Sequence, residues 1–185
     1  NNPIKPSPSN AYQRPVANVF DFYLTGNITE AKDYQDWNQI LRTATENDGI
    51  VIHINSNGGE IFTAIQLIRA MADSNATICA SVEGMCMSAA TLIFLCADVV
   101  EVSEHSHFMF HTYSSGNWGK GSDQLANVMA DDKWARHLFN QVYKGFLKPQ
   151  EIKEMIDGKD FWMNPAEVNK RLTQRNNLAK KKTKK

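Results

Sequence analysis

The stretch "EGMCMSAATL", residues 83–92, places a single hydroxyl, Ser88, among Met, Cys and Ala before Thr91 is reached. A serine at such a position has two uses. It can cap the helix that follows, or it can act as a nucleophile if the fold brings a base to it. If a helix begins there, its first N–H groups have no intrahelical acceptors and favour negative charge nearby. Ala89 and Ala90 would leave room for a substrate. The spacing is G-x-x-x-S, from Gly84 to Ser88, so the G-x-S-x-G elbow of α/β hydrolases is not matched. Gly58-Gly59 is the second candidate. The pair reads as a tight turn, or as backbone that approaches a ligand closely and, beside a nucleophile, lends an oxyanion donor. His111 closes "HFMFH" just before a glycine-containing loop, a usual place for a working base. It reads equally as a capped core histidine. His105 and His107 precede that run, while His53 and His137 read as structural or solvent-facing. An imidazole base needs a carboxylate to orient it. Asp160 in "GKDFWM" follows a helix stop and precedes two aromatics that could shield it. Asp157 is the near rival, but in the last turn of the preceding helix it opposes the dipole and reads as solvated.

These residues need elements to position them. "NVFDFYLTG" predicts a strand, and "TEAKDYQDWNQILRTATEN" a helix with Thr29 as its N-cap. "GIVIHIN" predicts a buried strand, followed by a helix with Ile61, Ala64, Ile65, Ile68 and Met71 on one face. "TICASVEG" is a strand, "SAATLIFLCA" a short buried helix, and "VVEVS" and "HFMFH" are strands. A long helix is predicted from about Ser122 to Phe146, and another over "KPQEIKEMIDG". "DFWM" is extended, and a last helix starts with Asn164 as cap and Pro165 at its first position. Alternating strands and helices imply parallel strands joined by right-handed crossovers. Sites in such sheets collect where strands end and helices begin, which selects "NSNGGE" and "EGMCMSA".

The 185 residues are enough for one domain, and 42% hydrophobic with 22% charged residues is ordinary for a globular chain. Lys+Arg and Asp+Glu both number 20, so no overall field draws the protein to nucleic acid. Many of the cations lie in "RLTQRNNLAKKKTKK", which leaves the body net acidic. The expected organisation is a flexible N-terminal segment over residues 1–17, a catalytic domain over 18–169, and a basic, solvated, unstructured tail over 170–185. Cys79, Cys86 and Cys96 are an odd number in apolar surroundings and read as reduced core residues of an intracellular protein. No spacing suggests a zinc site, no cofactor is implied, and the apolar run "AATLIFLCADVV" is too short to span a bilayer.

Taken in order, "LTGNI", "INSNGGEIFTAIQLIRAM", "VEGMCMSAATL", "HFMFH", the glycine loop to "SD", and "DFWMNPAEV" resemble the proteolytic subunit of the Clp protease, the ClpP family of serine peptidases. The resemblance runs from Val19 to Val168. It implies an α/β fold, the ClpP/crotonase spiral of repeated strand-helix units with a protruding handle. It implies Ser88 as nucleophile, His111 as general base and acid, Asp160 as orienting carboxylate, and the N–H groups of Gly58 and Ala89 as oxyanion hole. Gly59 and the segment Tyr113, Ser114, Ser115 and Gly116 would bind substrate as an added strand. The expected partners are protein or peptide substrates, further copies of the chain in two stacked seven-membered rings, and an AAA+ unfoldase. The expected location is the cytoplasm of a bacterium or of a phage-infected host. The chain also departs from the family pattern. Asn57 stands where proline is usual, Ala89-Ala90 replaces Met-Gly, Thr112-Tyr113 replaces Gln-Pro, and the Gly-Leu-Val/Ile-Asp ending of the last helix is absent. These differences point to a divergent branch, phage-encoded for example. They keep two alternatives in view: a non-catalytic ring or scaffold subunit, and a crotonase-like acyl-CoA enzyme.

Overall fold

In the second strand Ile50, Ile52 and Ile54 are buried, while Val51, His53 and Asn55 turn to the other face. That period of two fixes which side of the sheet meets the helices. The computed structural model describes residues 17–114, 116 and 119–182. The N-terminal segment expected to be flexible falls, up to residue 16, outside the described residues, as does Ser115.

Six strands form one sheet in the order β1 (Val19–Ile28), β2 (Gly49–Gly59), β3 (Thr77–Met87), β5 (His107–Phe110), β6 (Phe161–Met163). Strand β4 (Val99–Val102) pairs with the first half of β3, and β5 takes over the same edge beyond it. Every pairing is parallel except β5 with β6. The crossovers carry α1 (Gln35–Thr43), α2 (Ile61–Asp73) and α3 (Ala89–Cys96), as the alternation in the sequence requires. Helix α3 is buried on every side from Ala89 to Leu95. Burying each of its large apolar side chains contributes roughly 1.5–3 kcal/mol, so its position under the sheet is firmly set. The long α4 (Gly121–Val142) and the short α5 (Pro149–Ile156) follow. In α4 only Ala135 and Phe139 are buried, and Leu125, Val128 and Met129 lie exposed near its start.

Of the segment from Lys170 expected to be an unstructured tail, the part up to Lys182 lies in helix α6 (Pro165–Lys182), and residues 183–185 lie outside the described residues. Asn164 caps the helix, its Oδ1 accepting from the Glu167 N–H at 2.9 Å. Val168 and Leu172 are buried. Arg171 grips Glu151 with two hydrogen bonds of 2.7 and 2.9 Å. Arg175 donates to the Leu95 carbonyl at 3.0 Å. Residues 168, 172 and 175 share one helical face, and Lys and Arg are good helix formers. The run of cations hid that face in the sequence.

On the outer face of the sheet, His53 lies between two carboxylates, with Nε2 2.9 Å from Asp21 Oδ1 and Nδ1 2.5 Å from Glu83 Oε1. Tyr23 stacks on its ring at 4.7 Å. The hydrogen bond to Asp21, and then that to Glu83, raise the imidazole pKa above its ordinary value. The cross-strand tie is therefore fully present below about pH 6.5 and fades as pH rises through the raised value. In thermal unfolding, His53→Gln should cost more relative to wild type near pH 6 than near pH 9. An equal cost at both pH values would contradict the ion-pair tie.

Candidate active site

Ser88 leaves β3 with φ 54° and ψ −129°, and no other non-glycine among the described residues has a positive φ. Such backbone costs of order 1–3 kcal/mol and persists only where its surroundings enforce it. Three hydrogen bonds do so here. The Ser88 N–H donates to the Met109 carbonyl at 2.9 Å, and the Ser88 carbonyl accepts from the Thr91 N–H at 2.9 Å and from Thr91 Oγ1 at 2.6 Å. Although the G-x-S-x-G spacing is absent, the chain makes the same strand-to-serine-to-helix turn on which an elbow nucleophile sits. The Ser88 side chain makes no capping hydrogen bond to α3. Its Oγ lies 2.6 Å from His111 Nε2 instead.

Register brings that pair together. Met87 is paired with Met109 on β5, so His111 emerges two residues beyond, beside the turn at Ser88. On the far side, β5 and β6 are paired through Phe110 and Phe161. Continued by one residue, the antiparallel register sets Asp160 opposite His111. The carboxylate does not complete the contact. Asp160 is exposed, and among the described residues no hydrogen bond or ion pair reaches it. The aromatics after it do not cover it, since Trp162 is itself exposed and lies against His107, at 5.0 Å between rings. Asp157 is engaged elsewhere, with Lys153 at 2.8 Å and Arg136 at 3.5 Å.

Gly58 lies against the turn. A Cβ there would come within 2.6 Å of Ser88 Cβ and 2.7 Å of the Met87 carbonyl, and its φ is 89°. Its N–H, expected in the oxyanion site, donates to Ser56 Oγ at 3.1 Å, and Ser56 Oγ donates to the Gly26 carbonyl at 2.6 Å. The Ala89 N–H opens the first turn of α3, where no intrahelical acceptor exists. Gly84, four residues before Ser88, leaves room for Asn55, whose Oδ1 accepts from the Met85 N–H at 3.1 Å and would collide with any Cβ at 84.

Ser88 and His111 open into a cavity of about 280 Å³. Gly59, Tyr113 and Ser114 of the expected substrate-binding set line it, whereas Gly116 does not. Its apolar walls come chiefly from Phe62, Trp134, Phe139 and Tyr143, none of which the sequence reading assigned to the site. Phe62 stacks on Trp134 at 5.2 Å. Glu60 and Asp131 supply its carboxylates. The wall residues come from α2, from α4 and from Tyr143 just after it, so they meet only through the fold. Two hydroxyls could have been noticed: Ser56 in the glycine turn, and Thr91 in an otherwise apolar helix.

All three cysteines are free. Burial pushes the thiol of Cys86, two residues before Ser88, far above the ordinary range, so it is no rival nucleophile.

The family model for Clp protease matches residues 10–171. The match covers most of the chain, and the protein belongs to the Clp protease family, with the α/β fold that the sequence implied. No curated protein matches it closely enough to count as a relative. Among the described residues, no helix is long and apolar enough to cross a membrane.

The close packing of Gly58 on the turn has a direct consequence. Gly58→Ala should destabilise the protein by about 1–3 kcal/mol in chemical denaturation, through overpacking and left-handed strain. An unchanged unfolding midpoint would show that the turn has slack.

Proposed function

We propose that the protein is a serine endopeptidase acting on unfolded or dedicated protein substrates. The observation that carries this reading is the 2.6 Å contact between Ser88 Oγ and His111 Nε2 at a strained strand-to-helix turn. With the neutral imidazole protonated on Nδ1, Ser88 donates to Nε2. That is the arrangement in which His111 removes the hydroxyl proton as Oγ attacks a peptide carbonyl. The developing oxyanion falls beside the first turn of α3, where the Ala89 N–H is available. The Gly58 N–H serves as the second donor once the 56–59 turn frees it from Ser56. His111 then protonates the leaving amine, and water repeats the sequence to release the acid. Asp160 orients the imidazole after its side chain turns from solvent toward Nδ1, a reading supported by the pairing of the adjacent residues Phe110 and Phe161. An extended substrate runs along the segment Tyr113, Ser114, Ser115 and Gly116 after β5 and presents an apolar side chain to the aromatic cavity.

Family membership supports assembly into rings of this chain, two stacked heptamers by expectation, with an AAA+ unfoldase as the supplier of substrate. The exposed Leu125, Val128 and Met129 on α4 suit such self-association. One observation favours a second reading, a non-catalytic ring subunit: the Asp160 carboxylate has no partner among the described residues.

Hydrolysis of a fluorogenic peptide separates the two. Ser88→Ala and His111→Ala should each lower kcat by about 10⁴–10⁶-fold, and Asp160→Asn by less, with the mass of the assembly unchanged. Wild-type protein without turnover, or Ser88→Ala with undiminished turnover, would refute the peptidase reading.

A further inference from the structure

Thr91 and Tyr143 form a buried pair that the peptidase chemistry above does not use. Both are almost fully buried, and their hydroxyls are 2.7 Å apart. Thr91 Oγ1 also lies 2.6 Å from the Ser88 carbonyl oxygen. The proton inventory fixes the direction of both bonds. A carbonyl oxygen only accepts, so Thr91 spends its single hydroxyl proton on Ser88. Thr91 Oγ1 must then accept from Tyr143, and the phenol donates. The relay runs from Tyr143 at the end of α4, through Thr91 in α3, to the backbone of Ser88. Burial raises the Tyr143 pKa far above its ordinary value, so the phenol keeps the proton it donates.

The target of the relay is what matters. The Ser88 carbonyl and the Ala89 N–H belong to one peptide group, which is planar, and no peptide bond among the described residues is cis. In a trans peptide the C=O and N–H point in opposite directions, so whatever holds the oxygen also aims the N–H. The Ser88 oxygen is held twice by Thr91, from its N–H and from its hydroxyl. Ser88 has the one left-handed non-glycine backbone among the described residues, so this peptide plane would relax without an anchor.

We propose that Thr91 and Tyr143 are positioning residues that aim the Ala89 N–H at the developing oxyanion. Tyr143 also lines the cavity and packs on Phe139 of α4 at 5.6 Å. The relay therefore links the long helix to the donor that the reaction needs. This inference rests on the reading of Ser88 as nucleophile.

The test uses the intact protein with Thr91→Val, Thr91→Ser, Tyr143→Phe and the double variant Thr91→Val/Tyr143→Phe. Thr91→Val should lower kcat for peptide hydrolysis by about tenfold or more with KM little changed. It should weaken binding of a peptide boronate, which mimics the tetrahedral state, by a similar factor. Thr91→Ser keeps the proton and should stay within about twofold of wild type. The double variant should be no slower than Thr91→Val alone, because the two hydroxyls act in series. Normal kcat and boronate affinity in Thr91→Val, or Thr91→Ser as slow as Thr91→Val, would overturn the proposal. Amide exchange read by mass spectrometry over residues 87–95 tests the anchor without catalysis. Thr91→Val and Tyr143→Phe should both speed exchange there, and unchanged exchange would overturn the anchor. Faster exchange in a protein whose wild type cleaves no peptide would count against Ser88 as nucleophile and in favour of the anchor.

Discussion

The structure depends on one constraint, a left-handed serine held between two strands and a buried helix. Ser88 cannot relax toward ordinary backbone while its N–H is tied to β5 and its carbonyl to Thr91. The hydrogen bonds that hold it stand on elements stabilised by burial, since α3 is enclosed and β3 lies in the interior of the sheet. The strain is therefore supported by the core rather than by local propensity. Its effect is to turn the Ser88 hydroxyl away from the helix it would otherwise cap and toward His111.

The same economy of position runs through the rest of the site. One parallel register sets His111 beside Ser88, and the antiparallel pairing of β5 with β6 runs up to Phe110 and Phe161, the residues next to His111 and Asp160. Gly58 allows β2 to close on the turn because it has no side chain to collide with Ser88. Ser88 and His111, distant in sequence, thus become neighbours through strand pairing. The Ser88–His111 contact is closed in this structure, whereas the Asp160 carboxylate faces solvent.

Much of this was legible in the sequence, for physical reasons. The period-two runs around Ile52 and Phe108 declared the strands, and the turn residues at Gly58 and Ser88 marked the strand ends where a site can form. The Asn164-Pro165 cap was readable and is realised. Other features were not legible. The helical face of Val168, Leu172 and Arg175 was hidden beneath a run of cations that reads as solvated tail. The shielding that Phe161 and Trp162 could have given Asp160 is not realised, since Asp160 and Trp162 are both exposed. The Ser56 hydroxyl holding the Gly58 N–H, and the Tyr143 hydroxyl donating to Thr91, are contacts between distant residues that no local pattern encodes.

The central claim is that Ser88 and His111 act together on one peptide bond, Ser88 on its carbonyl carbon and His111 on its leaving nitrogen. The most direct measurement is a crystal structure of wild-type protein reacted with a peptidyl chloromethyl ketone. A nucleophile-base pair working on one carbonyl predicts a doubly attached inhibitor, its methylene carbon bonded to His111 Nε2 and its former carbonyl carbon to Ser88 Oγ. An unmodified pair, or an inhibitor attached to some other side chain, would contradict the account.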